Sequence, residues 1–181
     1  MPRLFQEFGQ GDREALSRIV EELYDDLRRL AHVRLRRHSE GPTLLDTTAL
    51  VHESYLRFLG AHQIQIVDRA HFLAYASRVM RSVIVDCVRE RSAQRRGGGD
   101  VHVALDAAIE EKISCGERQI LAVHQALDNL AEVSPRLVTV VEMRYFGGVS
   151  EPEIAEALGV TERTVRRDWE KARLLLAAAL K

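Results

Sequence analysis

The chain has 181 residues, with 26 basic and 27 acidic side chains and a formal net charge of −1, so any nucleic-acid role must rest on local clusters and not on a generally basic character. Apolar residues make up 46% of it, enough to bury a core in one domain or two small ones. No apolar run is long enough to cross a membrane, and Met1–Glu7 lacks a signal-peptide core, which predicts a cytoplasmic protein.

Two cysteines, Cys87 and Cys115, are too few for a disulfide scaffold or a zinc site. Cys87 falls on the apolar side of a predicted helix and reads as a buried, inert thiol. No motif for a cofactor is present, and the expectation is that none is needed.

Helical periodicity dominates, and the expected fold class is all-α. Residues 12–37 repeat Leu16, Ile19/Val20, Leu23, Leu27 and Leu30/Ala31, the pattern of one amphipathic helix. Its end is basic (Arg34, Arg36, Arg37), and Gly41-Pro42 breaks the chain. A second helix is predicted over 46–59, capped by Asp46 or Thr47. A third spans 69–95, with Phe72, Ala76, Val79/Met80, Val83/Ile84 and Cys87/Val88 inward, and Gly97-Gly98-Gly99 stops it.

Residues 98–117 read as an acidic connector (Asp100, Asp106, Glu110, Glu111), with room for a short helix. Helix 118–131 follows, with Ile120/Leu121, His124, Leu127 and Leu130 on one side. Ser134-Pro135 then opens a helix that buries Leu137, Val138 and Val141, and Gly147-Gly148 ends it. The resulting division is 1–97, a helical domain; 98–117, the connector; and 118–181, a small helix-turn-helix bundle.

The helix-turn-helix is the string from Ser150 to Arg173. Ser150 and Glu153 have the spacing of a capping box. Ile154, Ala155 and Leu158 supply the first helix's inner face. Gly159 takes the tight turn, where positive φ favours glycine. Thr161 caps the second helix. There Val165, Trp169, Ala172 and Leu176 share one side, while Arg163, Arg166, Arg167 and Lys171 lie on the other. A helix docked by an apolar side with a basic side outward suits the major groove of duplex DNA. Arg163 and Arg167 are assigned to base edges, because Arg is the usual reader of guanine. Arg166 and Lys171 go to phosphates or bases, and Thr161 and Thr164 complete the face. Glu162, Asp168 and Glu170 dilute its charge, which predicts modest affinity from this module alone.

A second basic cluster lies on the third helix. Arg78, Arg81, Arg89, Arg91, Arg95 and Arg96 stand there against only Asp86 and Glu90.

Three stretches in order carry a family resemblance: Leu50–Phe58 (LVHESYLRF), Phe72–Arg91 (FLAYASRVMRSVIVDCVRER) and Glu142–Val160 (EMRYFGGVSEPEIAEALGV). The first two resemble region 2, and the last resembles region 4, of the extracytoplasmic-function (ECF) group of the sigma-70 family of bacterial transcription initiation factors. The resemblance covers residues from about 8 to 180. It implies an alternative sigma factor, with core RNA polymerase and promoter DNA as partners and, for many members, an anti-sigma factor. By resemblance the 46–59 helix binds the polymerase's largest subunit through His52, Glu53 and Arg57, with Val51, Tyr55 and Phe58 in the core.

By the same resemblance the third helix lies against the −10 element, with Arg78, Arg81, Arg89 and Arg91 on the DNA backbone. The loop before it, Ala61–Asp68, would hold a flipped base. It offers His62, Gln63 and Gln65 but no aromatic ring. Tyr75 stands where the family often has Trp and is expected in the core. The C-terminal module would read the −35 element, and the connector would run through the polymerase. Tethering lets two weak DNA contacts act together.

Two other classes compete. An autonomous helix-turn-helix regulator would share the C-terminal module, but the N-terminal half lacks the strand-helix alternation of a receiver domain. His52-Glu53 invites a zinc-protease reading, but residue 56 is Leu where the second His is required. The expectation is a non-enzyme.

Overall fold

The computed structural model describes residues 1–36, 45–61, 66–97, 107–146 and 148–180, and within these ranges the side chains of Arg34, Arg36, 95–97, 107–115 and Phe146 are not described. The described residues are helical, with no strand among them.

The first half holds α1 (Pro2–Gly9), α2 (Arg13–Glu22), α3 (Tyr24–Arg36), α4 (Thr47–Leu59) and α5 (Arg69–Gly97). The helix predicted over 12–37 is therefore two. Leu23 leaves helical geometry at φ −104°, yet its N–H still bonds Ile19 O at 2.9 Å and its carbonyl accepts from Leu27 at 2.9 Å. The backbone ladder survives this bend, so the apolar repeat runs through it without a break. Asp12 caps α2, accepting from the N–H of Glu14 and Ala15. Asp46 caps α4 in the same way through Ala49.

Helix α1 is absent from the sequence expectation. It is a little over two turns long, and Phe5 and Phe8, one turn apart, are both buried. They meet Phe72 of α5 at ring-centroid distances of 6.0 and 6.2 Å, and Phe58 of α4 closes the cluster at 5.7 Å. Tyr75 packs on Phe58 at 5.4 Å, as expected of a core ring, and burial raises its phenol pKa despite Arg78 nearby.

The second half holds α6 (Ala107–Val133), α7 (Pro135–Val141), a π-helical turn over Glu142–Phe146, α8 (Glu151–Leu158) and α9 (Glu162–Ala179). Helix α6 begins at Ala107, inside the stretch read as connector, and absorbs the predicted 118–131 helix. Residues 98–106, Gly147 and the break at Gly41-Pro42 lie outside the described residues.

Helix α5 organises the molecule. Phe72, Ala76, Met80, Val83 and Val88 are buried in the larger apolar cluster, which joins α1–α4 to Leu127, Leu130, Leu137 and Val138 of the second half. Ala74, one turn off that stripe, is buried with Val140, Met143, Val149, Ile154 and Val165 of the second half. The helix is therefore covered on two sides, and the two halves share it.

Candidate nucleic-acid interface

The C-terminal motif is built as its local chemistry requires. The Glu153 carboxylate accepts the Ser150 N–H at 3.0 Å and the Ser150 hydroxyl at 2.6 Å, and these bonds hold its pKa below the usual carboxylate range. Gly159 sits at φ 62°, ψ 35°, the left-handed region that ends α8. Thr161 Oγ1 accepts from Thr164 N–H at 3.2 Å and lies 3.0 Å from the Thr164 hydroxyl, so both threonines serve the cap of α9.

Helix α9 turns Val165, Asp168 and Ala172 inward at i, i+3 and i+7. Trp169 lies half-buried between the two apolar clusters. Its ring stacks on Tyr145 at 6.3 Å and carries the Arg144 guanidinium 4.9 Å over its face, a cation–π contact that ties α9 to the π turn.

Asp168 corrects the sequence reading. It does not dilute the outer face; it is buried and accepts from Arg136 Nε of α7 at 2.7 Å. Helical phase carried the signal, because Asp168 lies between Val165 and Ala172 on the packed side. The outward stripe of Arg163, Arg167 and Lys171, at i, i+4 and i+8, is exposed. Arg167 is 73% exposed, with its Nε 3.8 Å from the Asp168 carboxylate.

Arg166 stands apart from that stripe. It hydrogen-bonds Glu151 of α8 and reaches Glu162 at 3.3 Å. Arg144 meets the same Glu151 at 2.6 Å. Glu151 thus bridges the π turn and both helices of the motif. Its pKa is held low, first by the Arg166 hydrogen bond and then by the Arg144 charge.

The basic cluster of α5 is divided differently. Arg78 and Arg89 are exposed, with Arg89 3.8 Å from Asp86. Arg91 is half-buried, 4.0 Å from Glu117 of α6. The Arg81 side chain is only 11% exposed and faces the second half, with its Nε 3.0 Å from a fully buried Glu142. Arg81 Nη1 donates to Asp128 at 3.2 Å and to His124 Nδ1 at 2.7 Å. The His124 Nε2 lies 3.4 Å from Asp128. Burial lowers the His124 pKa first and the Arg81 charge adds to it, with Asp128 opposing. His62, Gln63 and Gln65 lie outside the described residues, as do the side chains of Arg95 and Arg96.

On α4, His52 and Glu53 are exposed. Arg57, also exposed, donates to Ser82 at 2.8 Å and Asp86 at 2.7 Å of α5. Val51 and Phe58 are buried, and half-buried Tyr55 has its hydroxyl 3.1 Å from Ser17. Cys87 is half-buried, and burial, then Glu90 and Glu53, push its thiol up and away from the reactive thiolate. Among the described residues no group of His, Cys, Asp and Glu could hold a metal ion, and no helix is long and apolar enough to cross a membrane.

An all-helical chain that ends in a capped helix-turn-helix, with an exposed arginine stripe over a packed face, defines a DNA-binding transcription factor. The chain belongs to the ECF sigma factor family, whose sequence profile matches residues 1–181. Members are alternative sigma factors in transcription initiation and are not enzymes; they work with core RNA polymerase and promoter DNA, often under anti-sigma factors. No curated protein matches the chain.

Proposed function

We propose that this chain binds core RNA polymerase and directs it to promoters through two DNA-binding surfaces. Residues 1–97 form the unit that meets polymerase and the −10 element, residues 98–117 connect, and residues 118–181 read the −35 element. Thr161, Arg163, Thr164, Arg166, Arg167 and Lys171 make up the −35 surface, with Arg163 and Arg167 on base edges. Arg78, Arg81, Arg89 and Arg91 bind the −10 region, with His62, Gln63 and Gln65 in the preceding loop. His52, Glu53 and Arg57 of α4 contact polymerase. The observation that carries this reading is the outward stripe Arg163–Arg167–Lys171, backed by the buried Val165, Asp168 and Ala172, in a chain that belongs to this family.

The test is a pull-down and run-off transcription assay with bacterial core polymerase and a genomic promoter library. Stable association and new, sequence-specific start sites are expected. Glu53→Ala should weaken association with core while leaving the helical circular-dichroism signal intact; unchanged affinity removes Glu53 from the contact. A footprint from the chain alone, with no association to core, would overturn the whole reading in favour of an autonomous regulator.

A further inference from the structure

Away from the seam along which α5 meets the second half, one carboxylate stands at the edge of the DNA-facing helix. Glu151 is the first residue of α8, directly after the Ser150 cap. The cap does not need it, because Glu153 closes the capping box. Its two oxygens are instead divided between arginines of two other elements. Oε1 meets Arg144 Nη1 of the π turn at 2.6 Å, and Oε2 accepts from Arg166 Nε of α9.

The two arginines are held unequally. The Arg144 side chain is 32% exposed and has a second seat on the Trp169 ring. The Arg166 side chain is 64% exposed and is held by the carboxylates of Glu151 and Glu162. An exposed ion pair of this kind adds little stability and parts readily. A phosphate fits the guanidinium fork as well as a carboxylate does.

The position of Arg166 brings a phosphate to it. Arg166 follows Arg163 by three residues and precedes Arg167 by one, so it flanks the outward stripe. In a docked helix-turn-helix the second helix lies in the major groove while the first crosses the DNA backbone. The flank of α9 that reaches the start of α8 therefore borders that backbone. There Glu151 gives Arg166 the oxygen that a phosphate would otherwise give.

We propose that Glu151 is an affinity-setting residue of the −35 surface, an internal competitor that a backbone phosphate must displace to reach Arg166. The proposal rests on the −35 reading of α9. Without DNA, Arg166 is neutralised on Glu151. With DNA, Arg166 turns to the phosphate, and Glu151 keeps Arg144 as its partner, so neither charge is stranded. The exchange subtracts the worth of one ion pair from binding at any sequence. Glu151 thus lowers affinity uniformly and leaves base choice to Arg163 and Arg167.

The test is a double-mutant cycle of Glu151→Gln and Arg166→Ala. Binding is measured for the holoenzyme on a −35 duplex, and for the full chain alone on a mixed-sequence duplex at low salt. Glu151→Gln should tighten both about two- to fivefold, the worth of an exposed ion pair. Arg166→Ala should weaken both and lower the salt slope by about one unit. In the Arg166→Ala background the gain from Glu151→Gln should shrink, because no captured arginine remains to be released. Glu151→Asp keeps the charge but shortens the reach, so it should also tighten binding, and it replaces Glu151→Gln if that variant fails to fold. An undiminished gain in the Arg166→Ala background would reduce Glu151 to simple repulsion of DNA and overturn the proposal. A folded Glu151 variant that binds no better would overturn it too. The two duplexes separate this failure from that of the −35 reading. A holoenzyme that prefers the −35 sequence but shows no coupling in the cycle loses the competitor and keeps the reading. Coupling on the mixed-sequence duplex, with no sequence preference at −35, keeps the competitor and loses the reading.

Discussion

Helices α5 and α9 each carry arginines on a surface assigned to DNA, yet they present them in opposite states. On α9 the buried positions hold Val165, Asp168 and Ala172, and the arginine stripe is left to solvent. On α5 the buried positions include an arginine, Arg81, with a fully buried glutamate and a buried serine around it. The difference teaches that arginine content does not define a DNA surface. What defines it is which arginines already have carboxylates. Arg81 is matched by Glu142 and Asp128, Arg166 by Glu151 and Glu162, whereas Arg163 and Lys171 lie on the open side.

The largest test of this contrast lies within α5. Arg81→Ala removes the Arg81 charge from beside the buried Glu142, a loss of up to about 3–5 kcal/mol if the halves stay docked. The chain can avoid part of that by opening, so the measured loss is capped at the docking free energy. Arg78→Ala, three residues away and exposed, should change stability by no more than about 0.5 kcal/mol. Urea unfolding of the two variants measures both. Equal effects would mean that Arg81 is not held at the seam.

Asp168 is the corresponding position on α9. Asp168→Ala removes the acceptor for Arg136, and the expected loss is about 1–3 kcal/mol, toward the lower end because Arg136 is half-exposed. Glu170→Ala, whose exposed pair with Arg173 is at 2.8 Å, should cost under about 1 kcal/mol. Thermal unfolding ranks the two. If Glu170 proves the costlier, the account of the packed face of α9 is wrong.

The outer face of α9 is tested by base preference. Arg163→Ala and Arg167→Ala should each cost about 1–3 kcal/mol of discrimination at one position of the −35 element. Lys171→Ala should weaken binding at all sequences and lower the salt slope by about one unit. Promoter-selection assays with polymerase present give both readouts. A uniform loss from the arginine variants would move them to the phosphate contacts.

Local grammar made the C-terminal motif legible in sequence. Ser150 with Glu153, Gly159 and Thr161 each act within one turn, so their roles follow from spacing alone. The 69–95 helix was legible for the same reason, through its long apolar repeat. Helix α1 was not, because two phenylalanines one turn apart set no period. The extension of α6 back to Ala107 was hidden because acidic residues such as Glu110 and Glu111 read as connector. Arg81 was hardest of all. Its burial depends on Glu142 and Asp128, distant in sequence, and the sole local hint is the small-residue line Ala70, Ala74, Ser77. That line marks a close helix approach only once one knows that a second half is there to make it.

The smallest expected effect is a pH response of the seam. The His124 ring, acted on by Arg81, Asp86 and Arg89 of α5 and by Asp128 on its own helix, has its pKa lowered in the docked form, burial first. Its Nδ1 accepts from Arg81, so a second ring proton cannot be added without breaking that bond. A depressed folded value means that the open form takes up the proton first. The His124 contribution to docking is therefore complete above the ordinary imidazole value of 6.5 and declines as pH falls below it. Scattering followed from about pH 8 to about pH 5 should show the particle expanding toward the acid end. His124→Gln cannot titrate and should flatten the upper part of that curve, leaving only the carboxylate response at lower pH. An unchanged curve in His124→Gln would place the sensitivity at another group of the seam.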